Sequence, residues 1–60
     1  MKEFSTIQEA MKEAETVYYD DLAQGNPVYM YKTGNKKTGY RYVVTNDETK
    51  RPKGWRLVEF

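Results

Sequence analysis

Apolar residues recur at every third or fourth position near the start of the chain: Phe4, Ile7, Met11, Ala14, Tyr18 and Leu22. That spacing lines one face of an α-helix, and Ala10 and Val17 widen the stripe. The pattern predicts a helix over about residues 6–24. Ser5 with Gln8, or Thr6 with Glu9, can form a capping box at its start. Gly25 suits the left-handed position after the last turn, and Pro27 prevents continuation. From there the period changes to two. "PVYMYKT" and "GYRYVVT" are rich in Tyr and Val and predict strands over about 27–33 and 40–45, with Gly34 and Gly39 bounding the turn. "NDETKRPKG" is a polar loop broken by Pro52 and Gly54, and "WRLVEF" predicts a third strand over 55–60.

Helix, strand, strand, strand is an α+β order. Its simplest packing is one helix laid across one face of a three-stranded antiparallel β-meander, in a single domain spanning residues 1–60. Side chains alternate along a strand. With Tyr31 opposite Tyr42, one face carries Tyr29, Tyr31, Tyr40, Tyr42, Val44, Trp55 and Leu57. The other carries Val28, Met30, Lys32, Arg41, Val43, Thr45, Arg56, Val58 and Phe60. Charged residues resist burial, so the aromatic face is expected beneath the helix, with Trp55 in the core. A one-residue slip in register would exchange the faces.

Composition narrows the chemistry. The chain has no Cys and no His, so disulfides are impossible and the usual ligands of zinc, haem and iron–sulfur centres are missing. We expect no metal and no cofactor. Six Tyr, two Phe and one Trp must supply much of the core. No apolar run approaches the ~20 residues that span a bilayer, and "MKEFSTIQEA" lacks the apolar stretch of a signal peptide. The expectation is a cytoplasmic protein with no membrane partner. No nucleophile–base pair and no phosphate-binding P-loop occurs, because "TGNKKTG" lacks the Lys-Ser/Thr ending. A binding protein is expected rather than an enzyme.

Net charge is +1 but unevenly distributed: residues 1–26 carry −4 and residues 27–60 carry +5. The basic half points to an acidic partner. On the charged sheet face, Met30, Val43 and Val58 would form an apolar centre ringed by Lys32, Arg41 and Arg56, a surface suited to a protein partner. In the loops, Lys36, Lys37, Lys50, Arg51 and Lys53 would join Arg41 in a basic stripe able to neutralise phosphates. Glu13, Asp20 and Asp21 form an acidic alternative on the helix. The pair Asp20–Asp21 is notable because the negative end of a helix disfavours it.

"TGYRYVVT" resembles the aromatic strand motif of RNA-recognition-motif domains, which implies base stacking on Tyr40 and Tyr42. It departs at Thr38, Arg41 and Thr45, and sixty residues cannot hold that family's four strands and two helices. Over the whole chain, the capped helix "STIQEAMKEAE", the Gly-Asn-Pro exit and the three Tyr/Val/Trp strands resemble small phage accessory proteins, anti-CRISPR proteins among them. That resemblance implies a phage-encoded inhibitor in the host cytoplasm. Such a protein acts stoichiometrically by occupying a surface of a nucleic-acid-handling complex. The alternative implied by the basic stripe is a nucleic-acid-binding module.

Overall fold

A computed structural model describes residues 1–59. Phe60, expected to end the third strand, lies outside them. The chain forms helix α1 (Ile7–Val17), a short helix α2 (Tyr19–Ala23), strands β1 (Tyr29–Asn35) and β2 (Gly39–Thr45), a 3-10 turn over Glu48–Lys50, and strand β3 (Arg56–Val58). The three strands make one antiparallel sheet beside the N-terminal helix, the α+β plan expected from the pattern.

The expected single helix is interrupted at Tyr18, whose φ of −106° and ψ of 24° leave the helical region. The run Thr16–Tyr19 is β-branched and aromatic, and such residues lose side-chain freedom in a helix. Thr16 also donates its hydroxyl to the Lys12 carbonyl at 2.8 Å, a back-bond that weakens helices locally. The Tyr18 hydroxyl instead reaches the Val44 carbonyl at 3.5 Å. At the start of α1, Thr6 is the cap: its Oγ1 accepts from the Glu9 backbone N–H at 3.2 Å. At the end of α2, Gly25 takes φ +77°, and Asn26 N–H bonds back to the Asp21 carbonyl at 2.8 Å, closing the helix as a Schellman motif.

The sheet order is β2-β1-β3, so β1 is central and the expected meander is replaced by a crossover. The outer edge of β2 is already occupied. Phe4 and Tyr42 exchange two backbone hydrogen bonds there, each of 2.8 Å. The chain therefore carries β3 past β1 to its free edge. The connection, residues 46–55, crosses the face away from α1, where the Arg51 guanidinium lies 5.4 Å from the centre of the Tyr31 ring.

The register also differs by one residue. Pairing Gly34 with Gly39 across a four-residue loop would set Tyr31 opposite Tyr42. Instead Asn35 pairs with Gly39 across the three residues 36–38, and Tyr31 lies opposite Val43. The Asn35 carboxamide oxygen fixes this loop. It accepts from the backbone N–H groups of Lys37 and Thr38, both at 2.9 Å. Gly39 then supplies the left-handed residue, φ +85°, that a three-residue hairpin loop requires.

The slip recombines the faces. The face on the α1 side carries Val28, Met30, Lys32, Tyr40, Tyr42, Val44, Arg56 and Val58; the far face carries Tyr29, Tyr31, Thr33, Arg41, Val43, Thr45 and Leu57. The core is Phe4, Ala10, Ala14, Met30 and Val44, with Met30 fully buried. On the far face, Tyr31 and Val43 are buried as well. Trp55, expected in the core, is only half-buried, and it precedes β3.

Candidate functional site

The sheet has two chemically different ends. β3 pairs only with Met30, Tyr31 and Lys32, so the β1–β2 hairpin extends beyond it as a two-stranded ribbon. The ribbon comprises Thr33 paired with Arg41, Gly34 with Tyr40, Asn35 with Gly39, and the loop between. Lys36 and Lys37 are exposed at its tip. At its base Lys32 and Arg56 are cross-strand neighbours on the helix side. The Lys32 ammonium sits 5.6 Å from the centre of the Tyr40 ring, and Arg56 Nη2 donates to the Gly34 carbonyl at 3.4 Å. Arg41 projects from the opposite face and pairs with Glu3 at 3.8 Å, both side chains being largely exposed. An exposed pair at that distance holds Arg41 only weakly.

Acidic groups collect at the other end. Asp21 accepts from the Asn46 amide at 3.1 Å, which places α2 beside the end of β2. Asp47 and Glu48 follow at once, and Glu59 follows β3 on the same side of the molecule. The break at Tyr18 also accounts for Asp20 and Asp21. They stand in the first turn of α2, where negative charge is favoured, rather than near the end of a longer helix. Glu9 and Asp47 are held below the ordinary carboxylate range. Hydroxyl donation from Thr6, then from Ser5, lowers Glu9; hydroxyl donation from Thr49 lowers Asp47.

Several expected site residues are separated by this geometry. Met30 and Val43 are buried on opposite faces of β1 and β2, and Val58 is half-buried against the core. They cannot form one exposed apolar centre. Lys32 and Arg56 stay together, while Arg41 stands behind them on the far face. The reasoning that kept charge from beneath the helix fails because α1 runs from beside Tyr42 toward Val44. Lys32 lies toward the hairpin, half-buried, with its ammonium over the Tyr40 ring rather than in the core.

Of the loop cations, Arg51 has a local task. Its Nε and Nη2 donate to the Trp55 carbonyl at 2.9 and 2.6 Å, pinning the connection across Tyr31. Lys50 and Lys53 are exposed on that connection, away from the tip. Glu13 is half-buried in a groove of about 600 Å³ between the N-terminal segment and α1. Lys2, Lys12 and Arg41 share the groove with Glu3 and Glu9, so it favours neither charge. Glu13 and the Asp20–Asp21 pair do not converge, and no acidic group among the described residues is arranged to hold a metal ion.

Pattern reading missed one further surface. Ile7, Met11 and Leu22 are 37%, 40% and 43% exposed on one side of the helical layer. The stripe is wider than the sheet beneath it, because only Ala10 and Ala14 reach full burial. No helix among the described residues is long and apolar enough to cross a membrane. No family model matches the chain, and comparisons with curated proteins and with solved structures found no similar protein.

Proposed function

We propose that the chain is a small non-enzymatic binding protein whose basic hairpin end engages a nucleic acid, alone or within a nucleoprotein complex. One observation carries this reading. The register gathers Lys32, Lys36, Lys37, Arg41 and Arg56 around one end of the sheet, while Asp20, Asp21, Asp47, Glu48 and Glu59 lie toward the other. Six rises of about 3.4 Å along β1 separate the ends by roughly 20 Å. That exceeds the ~8 Å screening length of physiological salt, so the hairpin end presents its own field, while Lys2 and Lys50 beside Val44 and Asn46 partly offset the acids at the other end. A polyanion meeting the hairpin end gains from every lysine and arginine there and stays clear of the acidic end. The partner-facing cations are therefore Lys32, Lys36, Lys37, Arg41 and Arg56, with Lys50, Arg51 and Lys53 outside the group.

The test is a titration of fluorescently labelled random DNA and RNA at two salt concentrations. We expect affinity to fall steeply with salt, by about 0.9 log units per log of salt for each duplex phosphate neutralised. Absence of binding at low salt would overturn the reading.

A second reading is supported by the exposed side chains of Ile7, Met11 and Leu22. They offer an apolar strip beside acidic Glu15 for a protein partner, in the manner of a phage-encoded inhibitor occupying a host surface. Leu22→Lys would then abolish capture of a host protein while leaving nucleic-acid affinity unchanged.

A further inference from the structure

We infer that the ribbon formed by Thr33–Asn35 and Gly39–Arg41 is an insertion element for the major groove of duplex DNA. The inference rests on the nucleic-acid reading above and specifies the form of the ligand.

Length is the first ground. Three residue pairs extend beyond Lys32, the last residue of β1 paired to β3. At about 3.4 Å per residue they project roughly 10 Å, with the turn beyond them. The major groove of B-form DNA is about 8.5 Å deep and about 12 Å wide, and it admits a two-stranded ribbon. The projection is long enough to bring the tip to the base edges.

Thinness is the second. Gly34 and Gly39 leave two of the six paired ribbon positions without side chains. At Gly34 the absence is enforced: φ is +100°, and a Cβ would collide with the Gly39 carbonyl. The ribbon is narrowest next to its tip, where a groove leaves least room.

Charge placement is the third, and it separates a duplex from a single strand. Lys32, Arg56 and the half-buried Tyr40 share one face, as a single strand would require, and the cation such a strand would leave unused is Arg41. Here Lys32 and Arg56 flank one face of the ribbon base, while Arg41 leaves the other at the outer edge of β2, where its present partner is the exposed Glu3 carboxylate at 3.8 Å. Phosphates that line both sides of a groove would meet cations on both faces. Lys36, Lys37 and Thr38 stand between them at the tip, all exposed. Lysine donates to guanine O6 and N7, and a threonine hydroxyl contacts any base edge. The A-form duplex is excluded by shape, because its major groove is too deep and narrow for side chains to read.

The experiment compares three labelled probes of one sequence by anisotropy at fixed salt: a 20-base-pair DNA duplex, one of its single strands, and the RNA duplex. The full chain is used throughout, with circular dichroism checking each variant's fold. We expect the DNA duplex to bind at least tenfold more tightly than either other probe. We expect the dye methyl green, a major-groove ligand, to compete, and netropsin, a minor-groove ligand, not to. Lys32→Gln and Arg41→Gln should each reduce the duplex salt slope by about 0.9, the value of one phosphate contact. Equal or tighter binding to the single strand, loss of the slope change in either variant, or competition by netropsin alone would overturn groove insertion while leaving the nucleic-acid reading in place. Failure of all three probes to bind would remove both.

Discussion

At the residue scale, two side chains exchange the importance the sequence assigns them. Trp55 is the largest apolar residue and the natural candidate for the core centre, yet it is half-buried, ahead of β3. Met30, which pattern reading places on the open face, is fully buried between α1 and the sheet. Met30→Ala should cost about 2–5 kcal/mol by loss of packing and the cavity left behind. Trp55→Ala should cost less, because part of its surface already meets water. Urea unfolding of the two variants measures the order directly. A larger loss for Trp55→Ala would mean that the connection over Tyr31, rather than the helix over Met30, dominates stability. In a domain this small, either loss is a large share of the total.

At the element scale, the hairpin is the most constrained unit. Asn35 sets the loop length, Gly39 supplies its left-handed residue, and Gly34 lets the two backbones approach. The two glycines should respond differently to alanine. At Gly39 a Cβ would meet open space, so only the positive φ is penalised, by about 1 kcal/mol. At Gly34 a positive φ is combined with a collision against the partner strand, and a loss of at least about 2–3 kcal/mol is expected. Thermal melts of Gly34→Ala and Gly39→Ala, followed by circular dichroism, check this. Equal melting temperatures would show that the hairpin can open at Gly34 without loss, which would also remove the case for a rigid ribbon.

At the scale of the whole molecule, charge bears on both the proposed binding and acid stability. On the proposed reading the hairpin end meets a polyanion, so salt is the first variable to control in any binding assay. Acid stability follows from the two depressed carboxylates. Glu9 is lowered by Thr6 and Ser5, and Asp47 by Thr49, in the folded state alone. Their contribution is complete above the ordinary carboxylate pKa and disappears as pH falls through the lower folded values. The melting temperature should therefore drop as pH passes below about 4.5. Glu9→Gln and Asp47→Asn should each flatten that drop by lowering the neutral-pH melting temperature toward the acid value, with little change in the melting temperature at low pH. A drop of unchanged steepness in both variants would place the acid sensitivity in other carboxylates.

Local rules decided what neighbours along the chain could decide. The apolar period set the helical segment, Thr6 with Glu9 set the start of α1, Gly25 with Pro27 set the end of α2, and Tyr/Val alternation set the strands. The α+β class follows from that order alone. The basic character of the chain's second half was equally legible, as a count of charges. Tertiary structure decided the rest, because the deciding contacts join residues far apart in sequence. Phe4 closes the edge of β2, which sends β3 across to β1 and makes β1 central. One residue fewer in the hairpin loop than the glycine spacing suggests turns β2 over relative to β1. That single step buries Met30 under the helix, sets Arg41 opposite Lys32 and Arg56, and dissolves the apolar centre expected around Val43 and Val58. Sequence period fixes which residues share a strand face, but register fixes which faces meet. Register depends on the geometry of a loop whose length is set by one asparagine side chain.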